Sequence, residues 1–227
     1  MYWIIFIVFM VLSWIVGKVF NKRIEESSKI PVSSVLTGKE VAEKMLHDHG
    51  IYDVKVISTS GRLTDHYNPQ DKTVNLSQGV YGSRSIAAAA VAAHECGHAV
   101  QHATAYHWLN MRSKIVPAVQ FGSQWAQWIL LAGIVLMSFT NLGTWVLLLG
   151  IVLFGLTTLF SLITLPVEYN ASARAVEWLD ATGITTGKEN AYAKDALKWA
   201  ARTYLVAALS SLATLLYYIY IFLGRRD

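Results

Sequence analysis

Three long stretches of this 227-residue chain carry no charged residue, Ala118 to Met137, Leu142 to Leu165 and Leu205 to Leu223, and they constrain its fold more than any other feature. About 20 apolar residues cross a bilayer as a helix, so each stretch is expected to span one. The first two are separated only by Ser138-Phe-Thr-Asn-Leu-Gly-Thr144, which predicts a transmembrane helical hairpin. A shorter uncharged run, Tyr2 to Val16, ends at Gly17-Lys18 and reaches spanning length if its helix continues through Phe20. No positive charge precedes this run and no small-x-small site follows it, so it reads as an anchor rather than a cleaved signal peptide, with an interfacial helix as the alternative. A mean hydropathy of +0.38 is too high for an ordinary soluble domain and agrees with a chain that lies partly in lipid.

The expected class is therefore a mostly α membrane protein with about four transmembrane helices and a small α+β domain at the membrane surface. The expected order is an anchor over 1–20, a polar domain over 24–115, the hairpin over 118–165, a connecting segment over 166–203 and a last span over 204–223. Four crossings place both polar segments on one side. That side carries Lys18, Lys22, Arg23, Arg112, Lys114, Lys198 and Arg202 near the spans, against Arg225 and Arg226 opposite, and the positive-inside rule turns it to the cytoplasm of a bacterial plasma membrane. The net charge of +4 is spread along the chain without a nucleic-acid motif, so no nucleic-acid partner is expected. Gln120, Gln124 and Gln127 form a polar stripe on the second span, which predicts a face turned to protein.

Within the polar domain, Thr37 and Glu40 have capping-box spacing ahead of Val41, Met45 and Leu46, and Gly50 suits the helix stop. Alternating Val54 and Val56, Val74 and Leu76, and the stretch Arg62 to Tyr67 before Asn68-Pro69 predict a sheet of two or three strands. Ser83 or Ser85 can cap a helix over 85–103 that carries His94-Glu95-Cys96-Gly97-His98. Histidines at i and i+4 share a helix face and can bind one zinc ion, with Glu95 placed to act as general base on water. Cys96, the single cysteine, is no ligand in that pattern and is expected to serve helix packing.

Catalytic zinc takes three protein ligands and a water. A third histidine at the metzincin spacing is excluded, because Gln101 and Thr104 occupy the positions three and six after His98. Glu168, just after the third span, is expected to open a new helix on the same side as His94, where its charge also suits the helix dipole. Glu177, Asp180 and His102 are weaker candidates.

The segments Asp65 to Pro69, Lys72 to Ser77, Ala92 to His98 and Leu165 to Arg174 resemble the YugP-like bacterial neutral zinc metallopeptidases over nearly the whole chain. The resemblance implies a zincin-like domain with a gluzincin-type site, in which His94, His98 and Glu168 bind Zn2+ and Glu95 is the catalytic base. Glu168 to Ala173 also looks like the ligand helix of the HtpX-type membrane peptidases, but Ser172 stands where those have aspartate. Asn170, Asp65 and Asp180 are candidates for orienting a ligand histidine in its place.

The function expected is a membrane-embedded zinc endopeptidase acting on a polypeptide substrate, with membrane and unfolded proteins as candidates. Tyr67, His66 and Arg174, together with Tyr169, are candidate oxyanion or substrate contacts. The strand before the catalytic helix is expected to accept an extended substrate by strand addition. The alternative is a non-catalytic zinc-binding membrane scaffold or assembly partner.

Overall fold

The computed structural model describes residues 2–224, so Arg225 and Arg226 of the charge-asymmetry argument lie outside the described residues. The chain is mostly helical. In order it forms α1 (Tyr2–Ser28), α2 (Gly38–Asp48), β1 (Lys55–Thr59), β2 (His66–Asn68), β3 (Thr73–Ser77), α3 (Gln78–Tyr81), α4 (Ile86–Ala103), α5 (His107–Leu136), α6 (Leu142–Ala181) and α7 (Lys188–Leu223). Three helices among the described residues are long and apolar enough to cross a membrane: Trp3–Ser28, Leu142–Ala181 and Lys188–Leu223. The expected fourth, in α5, is a continuous helix but is not among them, and Gln120, Gln124 and Gln127 are polar residues in its middle.

The chain divides into two compact units. One comprises residues to Trp14, Asn110–Leu165 and the chain from Tyr204 onward. Its core includes Leu130, Leu147, Ile151 and Tyr218. Here α5 and α6 pack backbone to backbone, since a Cβ on Gly133 would fall 2.5 Å from the Leu147 amide nitrogen. Thr158 and Ser211 share a hydrogen bond of 2.7 Å. The buried residues of α5 are Gly122, Ala126, Leu130 and Gly133, whereas all three stripe glutamines are exposed. Within this chain the glutamines are therefore not the packing face: small residues let the helices approach, and the bulkier amides stay outside that contact.

The other unit comprises Ile15–Leu109 and Pro166–Thr203. Both halves of the capping box form at α2, with Thr37 Oγ1 accepting from the Glu40 amide and Glu40 accepting from the Thr37 amide. Helix α2 buries Val41, Ala42, Met45 and Leu46 in a core shared with Val74 and Leu76 of β3, the alanines of α4, Trp178 and Leu179 of α6, and Leu197 of α7. Arg23 of α1 pairs with Asp195 of α7 at 3.0 Å.

The sheet order is β1-β3-β2, with β1 parallel and β2 antiparallel to β3. In the register, Val74 stands beside both Val56 and Tyr67. The strand before the histidine-bearing helix, β3, is thus central, paired on both sides, and strand addition there is excluded. Within this sheet an extended partner would have to use β2 or β1.

Helix α6 corrects a further expectation. It is continuous from Leu142 to Ala181 with Pro166 inside it, so Glu168 lies mid-helix and the dipole argument for its placement fails. Proline removes one backbone donor without breaking this helix.

Candidate metal centre

Ser85 caps α4, its hydroxyl accepting from the Ala88 amide at 3.2 Å. The alanine-rich sequence that follows has high helix propensity and is buried almost all round. One turn of this helix separates His94 from His98, and their rings stand nearly perpendicular, with centroids 4.9 Å apart. Between them, Gly97 faces α6 directly: a Cβ there would lie 2.7 Å from the Ala171 carbonyl oxygen. That contact lets α6 bring Glu168 to the histidine face. Glu168 Oε2 lies 3.4 Å from His94 Nε2 and 3.7 Å from His98 Nε2.

The donor chemistry fits zinc. Two imidazole nitrogens and one carboxylate oxygen form a catalytic zinc set, and tetrahedral ligands at about 2.1 Å from a metal stand roughly 3.4 Å apart. The donor atoms of His94, His98 and Glu168 all lie within 4.8 Å of one another. The side chains are 13%, 12% and 4% exposed respectively, so a divalent cation here would be largely shielded from water.

Burial by itself would lower the pKa of His98, but the Glu168 carboxylate, an acceptor for the ring N–H, and the charges of Glu95 and Glu168 outweigh it and hold the value above the ordinary 6.5. Glu95 is buried, and the Tyr67 amide of β2 donates to its Oε2 at 3.0 Å. Cys96 points to α2, its thiol 3.5 Å from the Ala42 carbonyl oxygen, and burial pushes its pKa well up. It is a packing residue, as its place in the motif suggested.

The remaining candidates separate. Ser172 Oγ is 3.1 Å from His94 Nδ1, so the serine itself contacts the histidine. Asn170 Oδ1 accepts from Gln101 Nε2 and Arg174 Nε. Asp65 accepts from the Ser77 amide and hydroxyl, closing the end of β3, and Asp180 and Glu177 are exposed. The exposed His66 bonds through Nδ1 to the Thr64 carbonyl. Tyr67 Oη is 2.8 Å from His102 Nδ1, and Arg174 stacks over Tyr106 at 6.0 Å. Tyr169 is exposed beside a cleft of about 360 Å³ that Ser172 also lines.

Sequence reasoning passed over Gln101, which is fully buried. Its Oε1 lies 3.1 Å from His98 Nδ1, while its Nε2 donates to the Val167 carbonyl at 2.8 Å and to Asn170 Oδ1 at 3.0 Å. The available signal was its position three residues after His98, on the same helix face.

Comparison with known proteins supplies an independent line. A family model described as "Putative neutral zinc metallopeptidase" matches residues 2–223. The chain is 43% identical over 207 residues to the "Putative membrane protease YugP" of Bacillus subtilis (strain 168), covering 91% of this chain and 90% of that protein. No solved structure matches.

Two outcomes follow from the geometry. Gly97→Ala should weaken zinc retention and cost about 1–3 kcal/mol of stability, because its methyl group forces α4 away from the Ala171 backbone; zinc counting and thermal unfolding of the purified protein test both. His98 has a raised pKa in the folded metal-free protein, so its stabilising contribution is complete below the unfolded value and lost as pH rises through the folded one. The metal-free protein should therefore lose stability as pH rises above about 6.5, with a shallower slope in metal-free His98→Gln, and zinc affinity should rise over the same interval.

Proposed function

The chain belongs to this neutral zinc metallopeptidase family, and from that premise we propose that it is a membrane-embedded endopeptidase of the gluzincin type. The observation that carries the proposal is the convergence of His94, His98 and Glu168 beside the buried carboxylate of Glu95. The group has three donors rather than the four of a usual structural zinc site, which favours a centre that keeps one position open.

His94, His98 and Glu168 would hold the zinc ion, which when bound would supply Lewis acidity towards a peptide carbonyl and lower the pKa of water to about 7. Glu95 takes the proton from the attacking water and delivers it to the departing amine nitrogen. The Tyr67 amide fixes one oxygen of that carboxylate and leaves the other available for the proton. Tyr67 belongs to an outer strand, so β2 places backbone polar groups next to the base, where an extended polypeptide can align. The oxyanion is assigned to a donor among Tyr67, His66 and Arg174, and membrane or unfolded proteins are the proposed substrates. The basic residues Lys18, Lys22, Arg23, Lys198 and Arg202 support a cytoplasmic orientation of the site.

Glu95→Gln should retain zinc and lose proteolysis of an unfolded substrate by about 100-fold or more; equal cleavage by the two proteins would refute the role of Glu95. For orientation, a Gln70→Cys reporter should resist membrane-impermeant thiol reagents in intact cells and react after lysis. The native Cys96 is buried and adds little background. Labelling of position 70 from outside would reverse the orientation.

A further inference from the structure

The hydrogen bonds around Gln101 determine more than a packing contact. A backbone carbonyl can only accept, so the Val167 oxygen, 2.8 Å away, requires the nitrogen end of the Gln101 amide. The second partner agrees. Arg174 Nε can only donate and lies 2.8 Å from Asn170 Oδ1, which identifies that atom as an acceptor, and Gln101 Nε2 stands 3.0 Å from it. Reversing the Gln101 amide would bring its oxygen against two acceptors at once, inside a fully buried site.

With the nitrogen committed to α6, the oxygen Oε1 is the atom facing His98 Nδ1, 3.1 Å away. An acceptor at that distance needs a donor, so Nδ1 must carry the proton. A neutral His98 then has its lone pair on Nε2, the atom facing Glu168. His94 lacks this device: its Nδ1 partner is the Ser172 hydroxyl, which can donate or accept and so leaves the tautomer open.

We propose that Gln101 is a positioning residue that locks His98 as the Nδ1–H tautomer, presenting Nε2 to the metal through an ordered chain from Arg174, Asn170 and the Val167 carbonyl. The part concerning the metal rests on the reading of His94, His98 and Glu168 as zinc ligands. The same bonds tie the face of α4 carrying His98 to the turn of α6 carrying Glu168, so one amide sets both the ring's protonation site and its orientation. Partners of this kind typically contribute 10–100-fold to metal affinity.

The test uses the full-length protein in detergent with 15N-labelled histidine, its His98 resonances assigned by comparison with His98→Gln. In the metal-free wild type, at a pH where the ring is neutral, His98 should show a protonated Nδ1 and an unprotonated Nε2. A predominant Nε2–H form would overturn the proposal. Gln101→Met should shift His98 toward mixed tautomers and weaken zinc binding about 10–100-fold in a chelator competition, while Ser172→Ala should leave the His98 tautomer unchanged. Wild-type tautomer and affinity in a folded Gln101→Met would also overturn it. If that variant does not fold, the wild-type spectrum still decides the tautomer. Failure of the wild type to take up zinc would refute the ligand reading separately, and the tautomer result would stand apart from it.

Discussion

The site depends on a close approach between two helix backbones. Gly97 of α4 meets the Ala171 carbonyl of α6 at a separation that leaves no room for a methyl group. Two of the candidate ligands, His94 and His98, stand beside this contact on α4, one turn apart, and the third, Glu168, stands on α6 one turn before Ala171. Wider helix spacing would leave Glu168 short of the histidines, because a glutamate side chain cannot span an extra layer of packing. The alanines of α4 have the same consequence on its other faces, where α2 and β3 close around the helix and fix its position. Rigid backing of this kind is what metal-ligand geometry demands.

Electrostatics then explain why the site suits a cation. A carboxylate 4% exposed is costly to keep charged unless positive charge or hydrogen-bond donors lie against it. In the metal-free protein the two imidazoles fill that role, and the carboxylates in turn hold the proton on His98. A divalent cation replaces the protons, so metal binding and proton release are two sides of one equilibrium. Glu95 lies next to this centre but is held by a strand amide, which keeps it out of the ligand group.

Features encoded locally were legible in the sequence. The Thr37–Glu40 capping box, the Ser85 cap and the one-turn histidine spacing each depend on neighbours within four residues, and the structure forms all three. Glu168 could be picked out because the uncharged run before it ends abruptly. What depended on tertiary contacts was not legible. Glu168 was expected to open a new helix, yet α6 runs unbroken through Pro166 and past it. The glutamine stripe of α5 looked like a packing face, but the buried face is a different one, formed by Gly122, Ala126, Leu130 and Gly133. Strand order was hidden because β1 pairs in parallel with β3, not with β2, which follows it in sequence, a connection that alternation alone does not reveal. Gln101 went unread because its meaning lies in the Val167 carbonyl, 66 residues away.

The central claim is that α6 completes the metal centre through Glu168, and zinc stoichiometry and affinity in purified Glu168→Gln measure it most directly. The substitution keeps the side chain's shape and removes its charge. The account predicts that the wild type holds one zinc ion tightly and that the variant, still folded by circular dichroism and thermal unfolding, loses it at chelator concentrations the wild type withstands. A folded Glu168→Gln that retains one zinc ion with wild-type affinity would contradict the account and transfer the third ligand to another residue.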